Sequence, residues 1–323
     1  MCKIYAWCCD YNSNSGEGIL AQKFIKDLKN NNKKKKIIIK YSRKNNIHLK
    51  NFTKRFILPL KGILYLWYIY FKNDNKKTCY VNFLPLWNFL IFLLLPPNTI
   101  LGPITGGSRY LKKPFINYFL RKYFLNFFYS ISIIIIKVRY KSLLFSTDLL
   151  KNKFKKKNNF FFNYILKDVK ISKSKIDKKF DLIFYLRNHT NKSFLLQKKL
   201  AIELSNKFKI ITVGEKISYK KIKNFGFISR IKLNKVLGKT KFSFISPENH
   251  HSFFAIDCYR NKVFIIYNKA KNQSKSLLHN SYNYNYNNSA GLKRFISKKI
   301  SIYKKPSNNK IKNIKNFNDY FVL

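Results

Sequence analysis

The first half of the chain alternates between two hydrophobic patterns. Residues 2–9 form an apolar run, interrupted only by Lys3, that is typical of a buried strand. A polar, glycine-bearing stretch covers 10–18, and apolar residues at helical spacing follow over 19–30. The alternation continues with a strand at 35–42, a helix over 53–72, apolar stretches at 78–86 and 98–108, a long aromatic helix, and a strand at 140–147. Strands that alternate with helices predict a parallel sheet covered by helices.

The second half repeats this alternation after an interruption. Residues 151–177 are dense in lysine and lack a sustained period, which predicts a linker with one short docked piece. Strands are then predicted at 179–188, 209–217, 241–248 and 262–268, and helices at 191–208, 231–240 and 250–261. The predicted organisation is an N-terminal domain over 1–150, the linker, a second domain over 178–290, and a helical tail over 291–323. We therefore predict an α/β protein with two Rossmann-like βα domains that face each other across a cleft, a favoured ligand location.

The net charge changes this picture less than its size suggests. The chain has 66 Lys and Arg against 13 Asp and Glu, a formal net charge of +53. Such an excess is typical of proteins that bind nucleic acid or anionic membranes. The excess is nearly all lysine, however, and it accompanies Asn, Ile, Phe and Tyr, a residue set that A/T-rich codons favour. Because no arginine-rich stripe or nucleic-acid-binding motif occurs, we predict no specific nucleic-acid partner.

Cysteine and histidine form no recognisable ligand set. The cysteines are odd in number and irregularly spaced, without a CxxC pair: Cys2, Cys8, Cys9, Cys79 and Cys258. This pattern predicts neither a disulfide framework nor a zinc site, but reduced thiols in a reducing compartment. No HExxH motif occurs either. The sequence therefore predicts no metal, no cofactor and a cytoplasmic location.

The apolar segments do not predict a signal peptide or a membrane-spanning helix. The first apolar run is short and is closed by Asp10. The segment 88–97 is about half of the roughly 20 residues that span a bilayer. The longer segment 115–138 is interrupted by three basic residues, Arg121, Lys122 and Lys137.

Several motifs of the second half together resemble a known family. DLIFYLRNHTNKS at 181–193 is a strand with a basic residue at its end and a lysine soon after. ITVGEKI, NFGFIS and KLNKVLGKTKFSFISPE follow in that order. This order resembles the donor domain of GT-B glycosyltransferases, especially the family-four-like, retaining enzymes that use nucleotide-activated sugars. The resemblance implies that Arg187 and Lys192 bind the donor diphosphate and that Gly214 marks the second donor-domain strand. A strand end followed by a helix N-terminus suits an anion as well.

The resemblance also addresses the two acids near residue 250. The family usually carries two glutamates eight positions apart, the first near the transferred sugar and the second on the nucleotide ribose. Asp257 matches the second, and eight positions before it stands Asn249, with Glu248 beside it. The resemblance therefore places Glu248 and Asn249 at the sugar, as catalytic and donor-binding residues, and Asp257 at the ribose. The structural alternative is that Glu248 caps a helix N-terminus and Asp257 pairs with a nearby lysine.

Glycine loops in the first half match the acceptor side of the family. NSNSGEG at 12–18 supplies Gly16, Glu17 and Gly18, and GPITGGS at 102–108 supplies Gly106 and Gly107. Glycines let a backbone approach a phosphate or a sugar closely. A plain turn explains such a loop equally well. Trp87, which follows 82–86, is either a sugar-stacking ring or a core residue.

The basic, aromatic region 109–130 resembles the surface by which such enzymes contact membranes. Lys and Arg alternate there with Phe and Tyr, as suits anionic headgroups at the inner face of the cell membrane. An amphipathic core helix with a cationic outer face is the alternative.

The resemblance implies a glycosyltransferase that moves a sugar from a nucleotide-sugar donor to a glycan or lipid-linked acceptor, in surface polysaccharide or lipopolysaccharide synthesis. The scarcity of carboxylates suits a retaining mechanism, in which the leaving phosphate helps to deprotonate the acceptor and no separate base is needed. The alternatives are a non-catalytic nucleotide- or glycan-binding protein on the same scaffold and, third, a basic nucleic-acid-binding protein.

Overall fold

A computed structural model gives the fold. It describes residues 3–13, 15–41, 56–72, 77–82, 84–105, 115–154, 159–167, 169, 171, 177–188, 194–245, 252–268, 281–284, 289–304 and 316–321. These residues form two compact units. The first contains the described residues up to 167 together with 316–321, and the second contains those from 169 to 304.

A parallel sheet forms the centre of the first unit. Its strands are β1 (Lys3–Cys8), β2 (Lys36–Tyr41), β3 (Lys77–Tyr80) and β4 (Ile100–Leu101), in the order β2-β1-β3-β4. An isolated bridge from Ile104 to Phe145 continues the parallel pairing, and β5 (Leu143–Leu144) pairs in parallel with β6 (Phe160–Phe161). The order in which the chain adds strands to the sheet reverses between β1 and β3, because β2 lies on one side of β1 and the later strands lie on the other.

The helices of the first unit are α1 (Gly16–Asn31), α2 (Leu58–Lys72), α3 (Phe89–Leu94), α4 (Phe115–Arg139) and α9 (Asn318–Phe321). Apolar residues from the strands and from α2, α3 and α4 form one core. Gly62 of α2 packs against the Trp7 indole of β1 so closely that a Cβ there would overlap the ring. This contact fixes which face of α2 enters the core.

The second unit contains a doubly wound parallel sheet. Its strands are β7 (Phe180–Leu186), β8 (Ile210–Gly214), β9 (Lys223–Asn224), β10 (Thr240–Phe244), β11 (Phe264–Asn268) and β12 (Ser281–Tyr284). Their order is β12-β11-β10-β7-β8-β9, which is the six-strand order of a dinucleotide-binding Rossmann sheet. The helices are α5 (Phe194–Leu204), α6 (Arg230–Gly238), α7 (Phe253–Arg260) and α8 (Ser289–Ser301). The prediction of two Rossmann-like domains is thus confirmed.

The predicted domain limits differ from the structure at two places. The linker was predicted over 151–177 with one short docked piece, but 151–154 and 159–167 both belong to the first unit, where Phe154 and Phe160 are buried in its core. The predicted tail divides: α8 packs on α5 in the second unit, whereas α9 packs on α1 in the first. Buried aromatic residues hold both 159–167 and α9 in the first unit. The lysines beside them in the sequence obscure the apolar pattern that would predict this packing.

None of the helices in the described ranges combines the length and the apolar character that a bilayer crossing requires.

Candidate functional site

The point where strand order reverses in the second unit lies between β7 and β10. These neighbours are parallel, with Phe242 opposite Leu182 and Phe244 opposite Phe184, so their carboxyl ends meet at one edge of the sheet. Ligands of open α/β sheets bind in the crevice outside the carboxyl ends of the strands at such a reversal. The segments that follow β7 and β10 are therefore the candidate site of this unit.

Arg187 is the first residue after β7, and it is exposed at this edge. Its position agrees with an anion-binding role, because a flexible cation at a strand end can reach a phosphate. Lys192, which was predicted to accompany it, lies outside the described residues. Arg187 is thus the one described cation of the predicted diphosphate pair.

Gly214 ends β8 with a positive φ of 93°. A Cβ at this position would overlap the carbonyl oxygen of Leu186 on the neighbouring strand. The close approach lets the backbone N–H of Glu215 donate to that oxygen at 3.0 Å. Gly214 therefore has a structural reason to be glycine, and its predicted role in donor binding stays a prediction.

The segment after β10 carries the residues that were predicted to meet the sugar. Ile245 is its last described residue before Ser252, so Glu248 and Asn249 lie outside the described part of the chain. Ser252 is the N-cap of α7, and its hydroxyl accepts from the backbone N–H of Ala255 at 3.3 Å. A serine thus takes the N-cap position of α7, and the alternative that Glu248 caps a helix concerns a residue outside the described part of the chain.

Asp257, the predicted ribose ligand, lies inside the second unit. Its side chain is 1% exposed, and the Arg230 guanidinium donates to both carboxylate oxygens, at 2.9 Å from Nε and 2.8 Å from Nη2. Arg260 adds a longer ion pair at 3.8 Å. This geometry corresponds to the structural alternative for Asp257, with arginine in place of the expected lysine. With its side chain 1% exposed, the carboxylate is not open to a ribose in this structure.

The Arg230–Asp257 pair belongs to a hydrogen-bonded ring that joins α6 to α7. Asn261 Nδ2 donates to the Asp257 backbone oxygen and to Asn234 Oδ1, each at 2.7 Å. Asn234 Nδ2 in turn donates to the Arg230 backbone oxygen at 3.0 Å. Sequence reasoning missed Arg230. The available signal was its place directly after the N-cap Ser229 in a helix that must pack near the acid-bearing helix.

The first unit has an equivalent reversal between β1 and β3. Asp10 follows β1, and its carboxylate accepts from the Asn12 backbone N–H at 2.9 Å and from the Ser15 hydroxyl at 2.6 Å. Asn82 follows β3, and its Oδ1 accepts from the Asp10 backbone N–H at 3.2 Å. These bonds shape the loop between β1 and α1 from both strands.

The predicted glycine loop is partly helix. Ser15 is the N-cap of α1 and accepts from the Gly18 backbone N–H at 2.8 Å, so Gly16, Glu17 and Gly18 form the first turn. The prediction that the loop reaches residue 18 is therefore wrong, because the Ser15 cap starts the helix earlier. A Cβ at Gly18 would overlap the Asn12 backbone, which explains that glycine by packing.

The remaining predicted residues of the first unit are two glycines and Trp87. Gly106 and Gly107 lie outside the described residues, so their role on the acceptor side stays a prediction. Trp87 is half-buried, with its ring centroid 5.8 Å from that of Phe56. It is thus neither a fully buried core residue nor a freely exposed ring.

Three thiols lie in and after the first unit's central strands. Burial raises the pKa of the Cys9 thiol to about 12, although hydrogen bonds with Tyr80 and Trp7 lower it in part. Burial likewise raises the pKa of Cys8 and of Cys79. These thiols are therefore protonated at neutral pH and unsuited to nucleophilic or metal chemistry. Across the described ranges, no group of three His, Cys, Asp or Glu could hold a metal ion.

Sequence comparison finds no relative: no protein-family model and no curated protein matches the chain. Structural comparison does find similar folds. UDP-GlcNAc 2-epimerase from Methanocaldococcus jannaschii, solved with UDP-GlcNAc and UDP, is similar with a TM-score of 0.55 and 11% identity, over 100% of this chain and 98% of that one. Anabaena Alr3699/HepE, solved with UDP, has a TM-score of 0.53 and 9% identity over 93% and 90%.

A glycosyltransferase is among the similar structures as well. The lipopolysaccharide outer core galactosyltransferase WaaB, in its apo form, matches with a TM-score of 0.50 and 10% identity, over 93% of this chain and 91% of that one. At such identities the similarity concerns the fold alone. Together with the two parallel sheets, it shows that this chain has the fold of the GT-B-type UDP-sugar enzymes, built from two Rossmann-like domains.

Proposed function

We propose that this chain binds a uridine diphosphate sugar at the β7–β10 edge and transfers the sugar to a glycan or lipid-linked acceptor. The observation that carries the proposal is the position of Arg187 directly beside the strand-order reversal of a Rossmann sheet. The similar folds solved with UDP or UDP-GlcNAc support the choice of nucleotide. WaaB supports the choice of reaction.

In this proposal Arg187 and Lys192 bind the diphosphate, while Glu248 and Asn249 contact the sugar. Asp257 acts chiefly through Arg230, by holding α6 against α7, the helix that follows the segment with the proposed sugar contacts. The positive side chains have a chemical task beyond affinity. When the bond between the sugar and the β-phosphate breaks, negative charge grows on the phosphate, and a nearby cation stabilises that charge.

The proposed reaction is a substitution at the anomeric carbon. The bond from that carbon to the β-phosphate oxygen breaks, the acceptor hydroxyl oxygen forms the new bond, and the departing phosphate takes the hydroxyl proton. This route needs no protein carboxylate as a base, so it suits a chain with 13 Asp and Glu. Retention of configuration is part of the proposal. A place in surface polysaccharide or lipopolysaccharide synthesis also belongs to it.

Epimerisation of a UDP-sugar is the second candidate function. One observation favours it: a UDP-GlcNAc 2-epimerase fits this chain with a TM-score of 0.55, against 0.50 for WaaB. The two functions share the nucleotide site and differ in whether an acceptor is consumed. The product therefore distinguishes them.

Titration calorimetry with UDP tests the binding step. Arg187→Ala should weaken UDP binding about 10- to 100-fold, since a charge-assisted bond to phosphate contributes roughly 1.5–3 kcal/mol. Arg294→Ala removes an exposed arginine from α8 and serves as the matched control, with unchanged affinity. Equal affinity in all three proteins would remove the diphosphate assignment.

Product analysis tests the reaction. Each of a panel of UDP-sugars is incubated with the protein, with and without glycan or lipid-linked acceptors, and followed by proton NMR. Release of UDP with the same anomeric configuration in the product supports the transferase. Conversion of UDP-GlcNAc to its C2 epimer without an acceptor supports the epimerase. UDP binding without turnover of any sugar would leave the non-catalytic binding protein.

A further inference from the structure

Helices α2 and α3 of the first unit share an exposed apolar surface. Four residues of α2 recur at helical spacing and so occupy one face, and α3, which contacts α2, carries three exposed leucines. These seven exposed side chains, which we call the α2–α3 surface, are Leu60, Leu64, Tyr68, Phe71, Leu90, Leu93 and Leu94. The opposite face of α2 packs into the core, with Gly62 against Trp7, so the helix cannot turn to hide this surface.

The C-terminal carbonyl groups of α3 bond to side chains of α2 and α4 and to Tyr140. Carbonyls at a helix end have no partner within the helix and commonly bond to water. Here the guanidinium of Arg139 donates to three of them, and the two other donors are an indole and a phenol. The acceptors are Phe92 (from Arg139 at 2.7 Å and Tyr140 at 3.0 Å), Leu93 (from Arg139), Leu94 (from Trp67 at 2.6 Å) and Leu95 (from Arg139 at 2.8 Å).

These hydrogen bonds to the α3 carbonyls determine whether the surface can be covered by a water-free environment. A backbone carbonyl that loses its water without another partner costs several kcal/mol in hydrocarbon. The end of α3 does not incur that cost, because Trp67, Arg139 and Tyr140 already satisfy its carbonyls. The α2–α3 surface can therefore enter a water-free environment without stranding polar backbone.

The part of the sequence that carries this surface is strongly basic. Residues 56–147 include twelve Lys and Arg but one acid, Asp74. Lys61 and Lys72 are exposed on α2 beside the apolar stripe, and Lys137 is exposed on α4, which packs on α3. Apolar and aromatic side chains bordered by cations are typical of segments that lie in the interface of an anionic bilayer.

We propose that the α2–α3 surface docks onto an anionic lipid bilayer. Leu64 and Phe71 enter the acyl region, and Lys61 and Lys72 contact the headgroups. A second copy of the chain fits this surface poorly, because two cationic faces would meet in a protein of net charge +53. None of its seven residues belongs to 109–130, and the proposal does not rest on the nucleotide site.

Vesicle co-sedimentation tests the proposal with a matched pair of variants. Leu64→Ser with Phe71→Ser alters side chains that are 61% and 77% exposed. Leu195→Ser with Phe227→Ser alters second-unit side chains that are 78% and 76% exposed, so it removes at least as much exposed apolar area elsewhere. The vesicles contain phosphatidylcholine with about 30% phosphatidylglycerol, since each basic residue near such a surface adds binding energy.

We expect the first variant to lose about tenfold or more of its vesicle partitioning, because it removes two inserted side chains. The control variant should partition as the wild type does, and pure phosphatidylcholine vesicles should bind wild type about tenfold less. Equal partitioning of both variants, or no wild-type binding to anionic vesicles, overturns the proposal. Sedimentation velocity supplies another outcome: a wild-type dimer that the first variant abolishes would assign the surface to a second copy instead.

Discussion

Replacing Asp257 by asparagine tests the role of the buried ion pair in the second unit. The substitution keeps the shape of the side chain but removes its charge and one acceptor oxygen. Arg230 then loses one of two charge-assisted bonds, which the structure shows at 2.8 and 2.9 Å. The remaining members of the α6–α7 ring use backbone and asparagine groups and can persist.

The expected cost follows from the exposure of the two partners. A hydrogen bond to a charged group contributes about 1.5–3 kcal/mol, and breaking a fully buried pair costs roughly 3–5 kcal/mol. Arg230 is 35% exposed and can regain water, so we expect Asp257→Asn to destabilise by about 2–3 kcal/mol. Arg230→Met should cost more, about 3–5 kcal/mol, because it leaves the charge on the partner that is 1% exposed.

The assay must report on the second unit by itself. All three tryptophans (Trp7, Trp67 and Trp87) belong to the first unit, so their fluorescence does not follow the α6–α7 contact. Native-state hydrogen exchange of amides in β10 and α7 measures the relevant opening free energy. The double variant should cost less than the two single changes added together, with a coupling of about 2 kcal/mol.

Two results would refute this reasoning. One is an Asp257→Asn protein within about 0.5 kcal/mol of wild type, with additive effects in the double variant. The other concerns ligand binding: if Asp257 holds a ribose directly, Asp257→Asn weakens UDP binding but leaves pyrophosphate binding unchanged. A structural role predicts similar changes for both ligands, and Asp257→Glu should then disturb the bidentate pair and improve neither affinity.

Three other predictions follow from described residues. Gly214→Ala should destabilise by roughly 2–4 kcal/mol, because φ is +93° and the Cβ overlaps Leu186, whereas Gly226→Ala, with φ of +64° and only a lysine side chain nearby, should cost about 1 kcal/mol in thermal unfolding. Buried thiols should react with Ellman's reagent more than about 10³-fold slower in native than in denatured protein, in proportion to global stability; fast native labelling of Cys79 or Cys258 would contradict their burial. Because the pKa of Cys9 is raised in the folded protein, the unfolded chain loses the Cys9 proton at a lower pH than the folded chain does. The contribution of Cys9 to the free energy of unfolding is therefore intact below pH 9.0 and is lost as the pH rises toward about 12. Cys9→Ala should reduce the decline in unfolding free energy by about 1.4 kcal/mol per pH unit over that window, and an unchanged slope would count against the pKa assignment.

The sequence predicted the elements whose pattern is local. β7, β8, β10 and β11 lie where their apolar runs indicated, because central parallel strands are buried on both faces and read as continuous apolar segments. Two strand-and-helix series were enough to predict two Rossmann-like domains. The order of strands across each sheet, however, had to come from the structure.

The parts that sequence could not predict depend on long-range contacts. Asp257 and Arg230 are 27 residues apart, and the resemblance that placed Asp257 on a ribose gave no reason to pair them. The return of α9 to the first unit depends on Phe321 packing on Phe24 of α1, with ring centroids 5.2 Å apart. Neither contact leaves a periodic pattern in the sequence. The sequence did not predict the α2–α3 surface for a related reason. Helix α2 is apolar on two faces, and only the fold determines which of them is buried.

Hydrogen exchange with and without saturating UDP tests whether the β7–β10 edge binds the nucleotide. A ligand that binds the native state slows exchange where it stabilises the structure. We expect slower exchange in peptides that cover 187–193 and 245–252, which follow β7 and β10, and little change across α2. Protection confined to the first unit, or no protection at any UDP concentration, would contradict a nucleotide site at the β7–β10 edge.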